Sequence, residues 1–137
     1  MFNNIGGGNI SGGSIVAAFE SAVINLKTVA DTDIGINGIG LTFVPTHVAI
    51  NVASTDTVTG ELTLILTNKT QSTDLTGDVV TSGIATVPAG GLIYIPLATQ
   101  TNLTNGLASG ETLQLRITTG ATATTLTGTV IVSGFYY

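Results

Sequence analysis

Hydrophobic and polar residues alternate along most of this chain, and the alternation is clearest near its C-terminal end. From Thr112 onward, Leu113, Leu115 and Ile117 alternate with Thr112, Gln114, Arg116 and Thr118, the period-two pattern of a strand with one buried face. A small Thr/Ala-rich turn separates this run from a second one. In that second run Leu126, Val130 and Val132 fall on one face, and Thr125, Thr127, Thr129, Ile131 and Phe135 on the other. Because the second strand is apolar on both faces near its end and buries Val130, Val132 and Tyr136, it is expected in the middle of a sheet, not at a frayed edge.

The same pattern extends upstream. Leu41 to Ser54 reads as a strand with Val48, Ile50 and Val52 inward and His47, Ala49, Asn51 and Ala53 opposite. Residues 55–60 read as a connection. Glu61 to Thr67 alternates with Leu62, Leu64 and Leu66 inward and Ile65 on the outer face. A polar loop over Asn68 to Thr81 leads to strands at Ile84 to Val87 and Leu92 to Leu97, the second entered through Pro88-Ala89-Gly90-Gly91, and Ala98 to Gly110 is loop again. Ser14 to Lys27 stays ambiguous, since Ile15, Phe19, Ala22 and Leu26 recur at helical spacing while Val23 to Val29 fits an extended run. Ala30 to Gly40 reads as turn, with Asn37-Gly38 a strong turn dipeptide.

Short runs divided by Gly, Pro, Asn and Thr, with no long helix, predict an all-β domain over residues 15–137: a two-sheet antiparallel β-sandwich, jelly-roll-like. Residues 1–14 hold Gly6, Gly7, Gly8, Gly12 and Gly13 and read as a flexible N-terminal arm. Such an arm reaches roughly 45 Å when extended, enough to anchor on a neighbouring protein through Phe2, Asn3, Asn4, Ile5 and Ile10. Its glycines do not make a phosphate loop, because Gly13 stands where the lysine belongs.

Composition narrows the function. The 137 residues include no cysteine, which excludes disulfides, thiolate metal sites and cysteine nucleophiles. Only 8% of residues are charged, against roughly 25% in ordinary soluble domains. With Lys27, Lys69 and Arg116 as the only basic residues and a net charge of -5, neither nucleic acid nor an anionic membrane is an expected partner. Mean hydropathy is +0.53, yet no apolar run is long enough to span a bilayer, and the start lacks the features of a secretory signal. So little charge implies a surface partly covered by other protein in the working state.

Candidate chemistry is sparse. His47 is the single histidine and lies in a strand with no nucleophile elbow anywhere, so it reads as structural. The string from Asp31 through Asp33 hints at a calcium loop but has Gly35 and Thr42 where an oxygen ligand and a bidentate glutamate are required; turn-forming aspartates are the better reading, for Asp74 and Asp78 as well. Glu20, Glu61 and Glu111, the only glutamates, show no spacing that pairs two carboxylates for glycoside hydrolysis. Three Asn-x-Ser/Thr sequons are what a chain rich in Asn and Thr gives by chance. No catalytic residue, no cofactor and no metal site is expected. Ile65, Ile131, Phe135 and Tyr137, standing on otherwise polar faces, are the candidate oligomer interface.

The succession VADTDIG, FVPTHVAINVAST, GELTLILTN, TVPAGGLIYIPLA and ETLQLRITTGATATTLTGTVIVSGFYY resembles the Thr-rich β-sandwich domains of tailed-phage virion proteins. The resemblance covers residues 23–137. It implies a capsid decoration (cement) protein, commonly trimeric, on the outer surface of the capsid with the major capsid protein as partner. Its alternative is a receptor- or glycan-binding module of a phage fibre or other appendage. It brings no catalytic residue with it, and the N-terminal arm lies outside its pattern.

Overall fold

The computed structural model describes residues 15–97 and 106–137, and the strands within them follow the β-branched and alternating runs. In chain order they are β1 (Ile15–Glu20), β2 (Ile24–Asn25), β3 (Ala30–Ile36), β4 (Phe43–Gly60), β5 (Thr63–Asn68), β6 (Thr73–Asp74), β7 (Val79–Val80), β8 (Leu92–Pro96), β9 (Thr112–Thr119) and β10 (Thr122–Tyr136). Sheet A runs β1-β10-β4-β8, with β2 also against β10; sheet B runs β3-β9-β5-β6, with β7 also against β5. Every pairing is antiparallel. Except where β5 passes to β6 and β7, and β1 to β2, each strand crosses to the other sheet. That interleaving of two Greek keys is a jelly roll, the predicted fold class.

The core lies between the sheets. Sheet A contributes Val48, Ile50, Val52, Leu126, Val130 and Val132; sheet B contributes Leu64, Leu66, Leu113, Leu115 and Ile117, all but closed to solvent. Each such side chain contributes about 1.5–3 kcal/mol on burial. At one end Phe43 packs edge-on to Phe19, with ring centroids 5.0 Å apart, and against Tyr136 at 5.2 Å. As expected, β10 is interior to its sheet, between β1 and β4, and Tyr136 is buried.

Several local expectations are corrected. β9 and β10 are not a hairpin: they belong to different sheets, and the chain crosses between them at Gly120-Ala121. Here a Cβ on residue 120 would lie 2.0 Å from the Lys27 carbonyl oxygen, so glycine is required by close backbone approach. Residues 55–60 are the last third of the 18-residue β4, pairing with β10 from Thr122 to Leu126. Their side chains are mostly polar because this part of the ladder lies at the margin of the core, where Val58 and its partner Ala123 still pack against it. Ile84 to Val87 is not a strand but a 3-10 turn over Ile84–Thr86, where fully buried Ile84 pins the connection. The Asn68 to Thr81 loop carries β6 and β7 and is tied down by buried Leu75, Thr76, Val79 and Thr81. Ser14 to Lys27 resolves from Ile15 onward as strand, β1 and β2, and the turn expected over Ala30 to Gly40 begins only after β3.

Candidate interaction surfaces

The two outer faces of the sandwich differ in chemistry. On sheet B, the alternation that sends Leu115 and Ile117 inward sends Gln114 and Arg116 outward, opposite Asp33 and Asp31 of β3. Lys69 Nζ lies 2.6 Å from Asp33 Oδ2, and Arg116 lies 3.5 Å from Asp31 Oδ1 and 3.7 Å from Asp74 Oδ1. Gln114 adds a 3.0 Å hydrogen bond to Asp33 Oδ1. The hydrogen bonds from Lys69 and Gln114 hold the Asp33 carboxyl below its ordinary value. Asp31 and Asp33 are therefore strand residues in an ion-pair row, not turn formers, and Asp74 joins them from β6. These pairs are half exposed and screened by solvent, so they add little to stability.

The outer face of sheet A carries little charge, with Glu20 on β1 and Asp56 towards the end of β4. One row crosses it from Glu20 on β1 through Ile131 and Ala49 to Tyr94 on β8. The next row holds Ser133, His47 and Pro96. Leu92 and Tyr94 are 58% and 54% exposed, large apolar groups left in water on the edge strand. The His47 ring stacks on Tyr94 with centroids 4.8 Å apart and planes 18° from parallel, and its Nδ1 lies 2.8 Å from Thr46 Oγ1. His47 is thus a half-buried surface histidine with an aromatic and a hydroxyl partner.

The structure separates the four residues expected at an oligomer interface. Ile131 and Phe135 share the outer face of sheet A, and Tyr137 packs near Phe135 with ring centroids 6.5 Å apart. Ile65 stands on sheet B opposite Arg116, on the other side of the molecule. The arm residues Phe2, Asn3, Asn4, Ile5 and Ile10 lie outside the described residues, as does most of the Ala98 to Gly110 loop. Sequence reasoning missed Leu92 and Tyr94, although their alternation with Ile93 and Ile95 carried the signal.

It also missed a polar network at the end of the sandwich where Phe43 pairs with Leu107. Asn37, 1% exposed, donates from Nδ2 to the carbonyls of Leu41 and Leu107, both at 2.8 Å, and accepts from the Ile39 N–H at 3.0 Å. Glu111, 9% exposed, accepts from Asn68 Nδ2 at 2.9 Å and the Ala108 N–H at 2.7 Å on Oε1, and from Gln71 Nε2 at 2.5 Å on Oε2. Burial alone would push the Glu111 carboxyl up, but the three hydrogen bonds outweigh it and hold it below its ordinary value. A groove of about 390 Å³ opens on this carboxylate, lined also by Thr42, Gln71, Thr73 and Tyr137. Among the described residues no three His, Cys, Asp or Glu side chains gather as a metal site, and no helix is long and apolar enough to cross a membrane.

No family model matches this chain, and no curated protein matches its sequence. Among solved structures, a chain from the capsid of Ralstonia phage GP4 is similar: 18% identical, with 92% of this chain and 85% of that one covered and a TM-score of 0.47.

Proposed function

We propose that this chain is a structural virion protein that decorates an assembled capsid lattice and stabilises it by surface burial. The observation that carries this reading is the near absence of fixed charge from one broad face of the sandwich. The outer face of sheet A presents Ile131, Tyr94, Leu92 and Pro96 over a covered Ala49, with Glu20 on its edge strand and Asp56 at the far end of β4. Such a face fits burial against protein, where an unpaired charge would carry a large desolvation cost. The acidic balance and engaged cations fit neither nucleic acid nor anionic lipid.

In this reading the copies associate, a trimer being the expected assembly, and residues 1–14 reach from the start of β1 to the major capsid protein. Binding only the assembled state adds the binding free energy to shell stability by linkage, and three linked contacts multiply weak ones into avidity. The test is to add purified protein to expanded shells of the cognate major capsid protein and examine them by electron cryomicroscopy and heat-release assays. Density over the shell at local threefold positions and a raised disruption temperature are expected. Deleting residues 1–14 should weaken binding while leaving the oligomer intact. Labelling at the end of an appendage, or specific binding on a glycan array without binding to shells, would overturn the reading in favour of a fibre module.

A further inference from the structure

Glu111 is a buried anion with no counter-charge among the described residues. Its three hydrogen-bond partners, Asn68, Gln71 and the Ala108 N–H, are all neutral. All three cations of the chain are engaged elsewhere: Lys27 Nζ donates to the Thr124 carbonyl at 2.8 Å, Lys69 pairs with Asp33, and Arg116 with Asp31 and Asp74. Buried charges are as a rule paired or bound to a metal. Among its hydrogen bonds, Glu111 Oε2 accepts one, from the side chain of exposed Gln71, although a carboxylate oxygen offers about two acceptor positions.

We propose that the groove over Glu111 is a recognition site for the ammonium or guanidinium group of a basic side chain on a neighbouring protein. The incoming cation takes the free acceptor position of Oε2, displacing or joining Gln71, while the hydroxyls of Thr42 and Thr73 at the groove wall accept its remaining N–H groups. A cation and carboxylate meeting out of bulk water form the strong, charge-assisted class of hydrogen bond. A divalent metal fits less well, because it takes several oxygen ligands, usually with more than one carboxylate, and the groove supplies one. The site stands apart from the decoration reading, since small free cations probe it without a capsid.

The experiment is titration of the isotopically labelled full chain with n-butylammonium and, separately, with methylguanidinium, followed by amide NMR shifts at constant ionic strength. Saturable shifts confined to Gln71, Thr73, Ala108 and Glu111 are expected. Glu111→Gln should weaken binding at least about tenfold. Gln71→Ala, at an exposed position, removes one hydrogen bond from the carboxylate and should tighten binding about threefold by freeing Oε2; once circular dichroism shows it folded, this variant decides the matter if Glu111→Gln does not fold. Absence of localised shifts in both the native chain and Gln71→Ala would overturn the proposal, as would equal binding by folded Glu111→Gln. Tighter binding of calcium at the same residues would assign the groove to a metal and overturn it too.

Discussion

Gly120→Ala should be among the most damaging single-methyl changes in this protein. The new Cβ would lie 2.0 Å from the Lys27 oxygen, 2.4 Å from the Lys27 carbonyl carbon and 3.0 Å from the Thr28 nitrogen, where ordinary contact begins near 3.4 Å. One strand of backbone must therefore move by roughly 1.4 Å against its neighbour. The neighbours resist: the Ala121 N–H donates to the Leu26 carbonyl and the Leu26 N–H to the Leu126 carbonyl, both at 3.0 Å, and Leu26 is fully buried. Overpacking costs about 1–3 kcal/mol. Losing one buried backbone hydrogen bond costs about 1–3 kcal/mol more. The sum, roughly 2–6 kcal/mol, is a large share of the 5–15 kcal/mol typical of a domain. Urea unfolding followed by circular dichroism reads this as a midpoint lowered by about 2 M at unchanged slope. Gly38→Ala is the control: nothing lies within 4 Å of its Cβ, and the cost should stay within about 0.5 kcal/mol. A Gly120→Ala unfolding free energy within about 1 kcal/mol of the native one would refute the close-approach account of the sheet crossing.

Three other outcomes are expected. The depressed Glu111 carboxyl gives stability that is complete above the unfolded glutamate value of about 4.3 and is lost as pH falls through its lower folded value, so Glu111→Gln should flatten the acid limb of a melting-temperature profile below about pH 4.3; an unchanged limb would remove Glu111 from the acid response. Thr57 holds φ at 46° within β4, a left-handed conformation costly for a β-branched residue. Thr57→Asn should therefore raise stability by about 0.5–1 kcal/mol in the same urea assay, and a loss would show that its 3.0 Å hydrogen bond to Asp56 matters more. Ile131→Asp, on the outer face of sheet A, should leave a folded chain that sediments as a monomer; an unaltered oligomer would take Ile131 out of the interface.

The parts of the fold legible in the sequence were those decided by side-chain period. Leu113, Leu115 and Ile117, or Val48, Ile50 and Val52, each assign a face because successive residues of a strand point to opposite sides. Period says nothing about which sheet a strand joins, so β9 and β10 read as hairpin neighbours until Gly120 is seen to lie against the Lys27 carbonyl. Nor does period detect a strand with a single apolar side chain, Val58, among threonines and an aspartate, which is why residues 55–60 read as a connection. The ion-pair row was within reach: Asp31 and Asp33, like Gln114 and Arg116, are two residues apart and so share a face in a strand. Glu111 was not, because its partners Asn68, at the end of β5, and Gln71, in the turn after it, lie about 40 residues away and reach it only through the whole topology.

The most consequential feature arises only when the faces are assembled. In water a charged side chain is tolerated on the outside of either sheet, so a solvated monomer has no physical reason to gather Asp31, Asp33, Lys69, Asp74 and Arg116 on sheet B and leave sheet A with Ile131, Ala49, Tyr94 and Leu92. The bias acquires a reason once one face is removed from water, because there an unpaired charge carries the desolvation cost that a threonine or isoleucine escapes. Glu20 supports this: it is the charge placed in the central row of sheet A, and it sits on edge strand β1, at the rim of the face, where a carboxylate stays hydrated. A lysine at exposed Asn51, on the same face of β4 between Thr129 and Leu92, should then leave the isolated fold intact and abolish the association proposed above.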